Sequence, residues 1–324
     1  MNNPAKTFEN LVVWRNATGW SSGFNRSQIQ CKKVDHVNAG LQRISVTTKL
    51  SRYLLVLLLL TQGLLKAEWT EIRILSSDAE ARTVKFVPLA DLNAEPRTAT
   101  IGEGDALLDY SGREVRARIV TSMNQERLDA IWPLVGLQQR AIDGTNRRLN
   151  RTVLQMPRGQ ALARGDFLPD FALFDDRGEI VFSRTLRGKP VILTFIFTRC
   201  TVENMCPMTT NRMIDLAQLI EQKELGPAHH LLVSFDPEYD TPGNLRLFAV
   251  NTGADERSVR FLSGAQSTIN DLTRAFGIEV IAEDGTLNHT IATLLTDSHG
   301  RIVMRQDGGR WSMEAIVNEL ERIR

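Results

Sequence analysis

The chain has 324 residues, 42% of them hydrophobic and 24% charged, with a formal net charge of +1. That length holds two ordinary domains, and the composition is globular, which excludes disordered and fibrous classes. A near-neutral balance with no long basic run and only three Tyr lacks the electrostatic footprint of a nucleic-acid binder, so no nucleic-acid partner is expected.

The first stretch with a signal is KLSRYLLVLLLLTQGLLKAEW, which sets Lys49 and Arg52 before the apolar run Tyr53–Leu60 and offers Gly63 and Ala67 as cleavage positions. This is the layout of a secretory signal peptide. Even extended to Leu65 the run has 13 residues, short of the roughly 20 a spanning helix needs. Residues 1–67 are therefore expected to be a leader and signal segment, and the mature chain to be exported, in the periplasm or on the outer face of the inner membrane. Left uncleaved, the same segment would be a membrane tether. The polar stretch before it reads as a long n-region or as sequence upstream of a start at Val46 or Leu50. Cleavage near Ala67 removes Cys31 and leaves Cys200 and Cys206, in a compartment where thiols oxidise.

Residues 68–140 show short alternating runs, TEIRIL, RTVKFVPL and REVRARIV, and predict a small, mostly β domain. QERLDAIWPLVGLQQR reads as a helix interrupted at Pro133. This region has no Cys or His, and Met123 and Trp132 read as core residues. A basic, turn-rich stretch over 141–164 reads as a linker.

From 165 to 324 strands alternate with helices, an α/β pattern. KPVILTFIF is apolar almost throughout, as a central strand covered on both faces should be. CPMTTNRMIDLAQLIEQKE places Met213, Leu216, Ala217 and Ile220 on one helical face, with Pro207 in the first turn. HHLLVSFD is the next strand. Thr241 and Pro242 form a helix start, and Gly253 and Gly277 mark helix ends. IATLLTDSHGRIVMRQ predicts a hairpin, and SMEAIVNELERIR a closing amphipathic helix. A cysteine loop between a buried strand and the following helix makes a thioredoxin-like domain the expected architecture.

Residues alone leave Cys200 and Cys206 open as a structural disulfide, a redox pair or a soft-metal clamp. An arched loop can bring two Cα atoms into the range that serves either a disulfide or joint coordination. Cys206 at a helix start, beside free N–H groups, is expected to have a lowered pKa. The Cys-x-x-Cys spacing of a thioredoxin catalyst is absent. His299, in a hairpin turn, and the His229–His230 pair at a strand start read as ordinary surface or core residues. Met205 and Met208 flank Cys206 and could supply thioether ligands, but Met208 is expected to pack and Met205 to line the loop.

GDFLPDFALFDDRGEIV, VILTFIFTRC…CP, VSFDPEYDTP and LNHTIATLLTDSHGRIV, in that order, resemble the Sco/SenC family of copper-delivery proteins. The resemblance implies copper, as Cu(I) or Cu(II), bound by Cys200, Cys206 and His289. It departs from the family in one respect: five residues, Thr201 to Met205, stand between the cysteines where the family usually has three. Asp236, at the C-terminal end of its strand, is expected to orient a ligand or a partner. The expected function is a metallochaperone that delivers copper to a respiratory cytochrome oxidase subunit or similar apo copper protein, not an enzyme in the turnover sense. The alternative is a thiol–disulfide oxidoreductase that reduces partner cysteines through the Cys200–Cys206 pair and is reset by a thiol reductant.

Overall fold

Alternation along the first strands closes them on themselves. The computed structural model describes residues 66–122, 125–254, 259–283 and 286–324. The expected leader and signal segment lies outside the described residues except for Lys66 and Ala67, as does Met123. Strands β1 (Lys66–Asp78), β2 (Thr83–Pro88), β3 (Arg97–Thr100), β4 (Glu114–Ser122) and β5 (Gln125–Pro133) form a closed barrel in the order β1-β2-β3-β5-β4. Every second residue points inward: Ile72 and Ile74 from β1, Val84 and Phe86 from β2, and Val115, Ala117 and Ile119 from β4 fill its core. A short helix, α1 (Glu103–Ala106), leads from β3 toward β4.

Two expectations fail here. QERLDAIWP is strand β5, not a helix. Ala130 has φ +51°, and pairing with β4 shifts between Arg116 and Arg118. This bulge puts an extra residue into β5 and breaks the alternation that marks a strand. Pro133 ends the strand, where its missing N–H is tolerated. Much of the expected linker is also structured: α2 (Gln139–Gln155) buries Ile142, Thr145, Leu149 and Val153 at helical spacing. Leu149 and Val153 belong to the core of the following α/β layer, leaving only the rest of 141–164 irregular.

That layer comprises β6 (Ala172–Asp175), β7 (Ile180–Phe182), β8 (Val191–Ile196), α3 (Cys206–Gln222), β9 (His229–Ser234), α4 (Pro242–Asn251), β10 (Val259–Ser263) and α5 (Gln266–Ala275). It continues through β11 (Val280–Glu283), β12 (Thr286–His289), β13 (Ala292–Thr296), β14 (Ile302–Asp307) and α6 (Met313–Arg322). Seven strands make one sheet in the order β14-β13-β8-β9-β10-β6-β7. Strands β8, β9 and β10 run parallel, while β13 pairs antiparallel with β8. All six residues of β8 are buried, as a strand covered by helices on both faces requires. This is a thioredoxin-like domain preceded by a mostly β one, the expected fold class. The expected helix start also forms: Thr241 Oγ1 accepts the Asn244 N–H at 3.4 Å and Pro242 opens α4.

The barrel packs on this layer at the start of α4. A Cβ added to Gly104 would stand 2.0 Å from the Gly243 carbonyl oxygen, and one added to Gly243 would stand 2.2 Å from Asp105 Oδ1. Only glycines allow α1 and α4 to approach this closely. Among the described residues no helix is long and apolar enough to cross a membrane.

Candidate metal centre

Strand β8 delivers the chain into a loop whose far end is the first turn of α3. Cys200 is half-buried in the loop, while Cys206, the first residue of α3, is buried; both are free thiols. The five residues between them fold into a turn closed by the Met205 N–H on the Val202 carbonyl at 3.0 Å. His289 ends β12, paired with Val280 of β11, rather than lying in a turn as its sequence context suggests. The ligand atoms of Cys200, Cys206 and His289 all lie within 4.8 Å of one another.

The histidine is oriented before any ion arrives. Its Nδ1 lies 3.1 Å from the Thr290 carbonyl oxygen, and a carbonyl can only accept, so Nδ1 carries the proton and Nε2 presents its lone pair. Nε2 lies 3.5 Å from Cys206 Sγ. The ring is packed against Phe235, with centroids 4.6 Å apart, and edge-on to Phe197 at 5.6 Å. Burial lowers its pKa, which keeps the imidazole neutral near pH 7.

The two thiols differ in the opposite sense to the sequence expectation. A hydrogen bond from the Cys206 thiol, helped by the Cys206 backbone N–H, lowers the Cys200 pKa to about 5. Cys206 itself is pushed well above its ordinary value, first by donating that bond and then by burial. The helix terminus does favour a thiolate, but its leading N–H stabilises the sulfur across the loop instead of that of its own residue.

The loop is braced from β9. Asp236 accepts from Arg199 Nε at 2.9 Å and Nη2 at 2.6 Å, and the Arg199 guanidinium also lies 4.8 Å from the Tyr239 ring centre. Asp236 thus holds the residue next to Cys200 and touches no ligand atom directly. Asp240, fully buried, accepts from Thr198 N at 3.1 Å, from Thr198 Oγ1 and from Ser234 Oγ. Burial raises its pKa to about 6, against those hydrogen bonds. Sequence reasoning missed Asp240, Arg199 and the two Phe rings. The four-residue step from Asp236 to Asp240, ending at the Thr241 cap, was the available signal for the first. His299 is exposed in its hairpin turn and His230 is buried in β9, neither in the cluster.

A SCO2-like protein of Rickettsia typhi is 28% identical over 140 residues, a match covering 41% of this chain and 66% of that protein, just under two thirds of its length. The mitochondrial protein SCO2 homolog of Bos taurus is 26% identical over 219 residues, covering 65% and 76%. A copper-bound structure of Bradyrhizobium japonicum ScoI aligns with 50% of this chain and 100% of that one, at 25% identity and a TM-score of 0.39. The family model for SCO1/SenC matches residues 159–324, a span that begins after α2 and takes in both cysteines, the bracing aspartates and His289. With just over half of its length matched by that model, the chain belongs to the SCO1/SenC family.

Proposed function

We propose that the protein binds copper through Cys200, Cys206 and His289 and delivers it to an apo copper protein such as a cytochrome oxidase subunit. The observation that carries this is the convergence of two sulfurs and one imidazole nitrogen within 4.8 Å. Three donors at about 2.0–2.3 Å from a common ion stand roughly 3.5–4 Å apart, so the 3.5 Å between Cys206 Sγ and His289 Nε2 already fits. Thiolates select Cu(I), and imidazole suits both copper oxidation states. Several solved relatives, among them those of Arabidopsis thaliana, Bradyrhizobium japonicum and yeast, are structures with copper bound, and another, BsSco, is a member of the Sco family of cytochrome c oxidase assembly proteins.

Copper is cargo in this reading. Cys200 meets it as a thiolate, His289 Nε2 as a neutral lone pair, and Cys206 releases its proton on loading. Unloading proceeds by ligand exchange, the client's thiolates displacing Cys200 and Cys206 in turn. An exported location, with the N-terminal apolar segment as signal or tether, is part of the same proposal.

Anaerobic Cu(I) titration of the reduced protein against a competing chelator tests the reading, beside Cys200→Ala and His289→Ala. One tightly bound copper, greatly weakened in both variants, is expected. Equal affinity in the three proteins sinks the site.

The low pKa of Cys200 beside a protonated Cys206 favours a second reading, thiol–disulfide exchange. The Cys200 thiolate attacks a client disulfide and releases one client thiolate. Cys206 then loses its proton and attacks Cys200 Sγ, freeing the second client thiol and leaving a Cys200–Cys206 disulfide for a thiol reductant to reset. His289→Ala separates the two readings: it abolishes tight copper binding and leaves this exchange intact.

A further inference from the structure

Helix α2 buries one face and leaves the other bare. Opposite Ile142, Leu149 and Val153, the outward face carries Arg140, Arg147 and Arg151, at spacings of seven and four, with Arg158 just beyond the helix end. All four are exposed. Among the described residues none of them forms an ion pair, whereas Arg148 pairs with Asp170 and Arg164 with Glu319. The one acidic residue of α2, Asp143, accepts from Gln139 Nε2 at 2.8 Å. Arg147 and Arg151 stand one turn apart, a like-charge pair that weakens a helix unless an anion lies over it. Two large apolar side chains frame the stripe, Leu137 at 94% exposure and Leu154 at 65%.

We propose that this face docks on an anionic phospholipid bilayer. An ordinary solvated helix face balances both signs and keeps large aliphatic groups turned away; here three arginines share their face with a single acid, Asp143, which already accepts from Gln139, and two leucines stand exposed. Guanidinium forks match phosphate oxygens bidentately, and an interfacial helix combines a basic face with apolar groups that enter the acyl boundary. Leu137 and Leu154 are about 25 Å apart along the helix. A flat surface contacts both together with the arginines between, which a pocket for a single phosphate does not. The chain as a whole carries a net charge of only +1, so its overall charge supplies little of the attraction. The proposal is independent of the copper reading.

The test uses the full chain with phenylglyoxal, which modifies arginine, read peptide by peptide on vesicles of phosphatidylcholine alone and on vesicles also carrying phosphatidylglycerol. Modification of Arg140, Arg147, Arg151 and Arg158 slows on the anionic vesicles only, while Arg184 and Arg187, exposed elsewhere, react alike on both. The ratio of anionic to zwitterionic partition coefficients cancels any charge-independent anchoring by residues 53–65. In an Arg140→Gln/Arg147→Gln/Arg151→Gln variant it falls by roughly fivefold for each arginine removed, and added salt reduces it in the wild type. Leu137→Ser/Leu154→Ser lowers binding to anionic vesicles with the arginines intact. The proposal is overturned by equal modification on both vesicle types, by an unchanged ratio in the triple variant, or by inorganic phosphate alone giving the same protection. Outward-facing side chains are changed throughout, so an unaltered circular dichroism spectrum is expected of each variant.

Discussion

Replacing Cys206 with Ala removes the largest influence on Cys200. At a pKa of about 5, Cys200 is about 99% thiolate at pH 7. Without the Cys206 thiol its pKa climbs toward the ordinary value of 9.0, where a thiol is only about 1% ionised at pH 7. The naive expectation is a hundredfold slower reaction. Nucleophilicity, however, grows with basicity: a Brønsted slope of about 0.4–0.5 over four units makes each thiolate roughly 40–100 times more reactive. The two effects nearly cancel, so a rate at pH 7 alone decides nothing. The midpoint of the pH–rate profile is the quantity that moves. Stopped-flow reaction with an aromatic disulfide, from pH 3.5 to 9, should place it near 5 in the wild type and above 7 in Cys206→Ala. His289→Ala should leave it low, because the histidine is the least of the causes acting on Cys200. Stoichiometry gives a second readout, since the wild type releases two leaving groups as Cys206 resolves the mixed disulfide and the variant releases one. A midpoint that stays near 5 in Cys206→Ala refutes the reasoning and hands the thiolate to the backbone N–H groups of the α3 terminus.

Asp105, buried beneath Tyr110 and the start of α4, has its pKa raised from 3.8 to about 7, chiefly by burial. A raised carboxyl binds its proton in the folded state first, so its contribution to stability grows as pH falls from about 7 to 3.8 and is lost as pH rises through 7. Relative to wild type, Asp105→Asn should gain on going from pH 5 to pH 8, by an amount of order 3 kcal/mol; parallel urea-melt profiles would exclude the mechanism. Gly243→Ala should cost about 2–3 kcal/mol, because the added Cβ meets Asp105 Oδ1 at 2.2 Å and its backbone N at 2.9 Å; a neutral effect in the same melts would mean that α1 does not hold this close approach in solution. Leu149→Ala, at a fully buried position, should cost about 3 kcal/mol, whereas a change within roughly 0.5 kcal/mol is what a residue in a mere linker would show.

What the sequence made legible was local or all-or-none. KPVILTFIF could only be a strand buried on both faces, and Thr241-Pro242 could only start a helix, because both signals reside in adjacent residues. Strand β5 was misread because a single bulge at Ala130 destroys the period on which the reading depends. Helix α2 was misread for the opposite reason: Ile142, Leu149 and Val153 keep a helical period, but the arginines and Gly144 between them made the stretch look like a connection. The three residues of the cluster could be brought together in the sequence only through family resemblance, since 83 positions separate Cys206 from His289 and no spacing rule joins them. Which cysteine carries the negative charge was not legible, because it depends on whose sulfur the first N–H of α3 meets across the loop. Asp240 escaped for a similar reason; its role appears only when β8 and β9 lie side by side and bring Thr198 within reach.

The two extra residues between the cysteines raise a question that magnitudes settle. Lengthening a closed loop from three to five intervening residues costs about (3/2)RT ln(5/3), or roughly 0.5 kcal/mol. Cys206 is fixed independently, as the buried first residue of α3. Cys200 is fixed through its predecessors, with Thr198 on Asp240 and Arg199 on Asp236. Hydrogen bonds to charged groups contribute about 1.5–3 kcal/mol each; discounting the half-exposed Arg199 pair still leaves the buried Asp240 contacts larger than the loop penalty. Anchors at both ends therefore place the sulfurs, and the residues between need only turn, which the Met205 to Val202 bond accomplishes. Loop length can vary at this site while Asp236 and Asp240 hold the Cys200 side of the loop, which makes these two aspartates, rather than the cysteine spacing, the features that set Cys200 against Cys206.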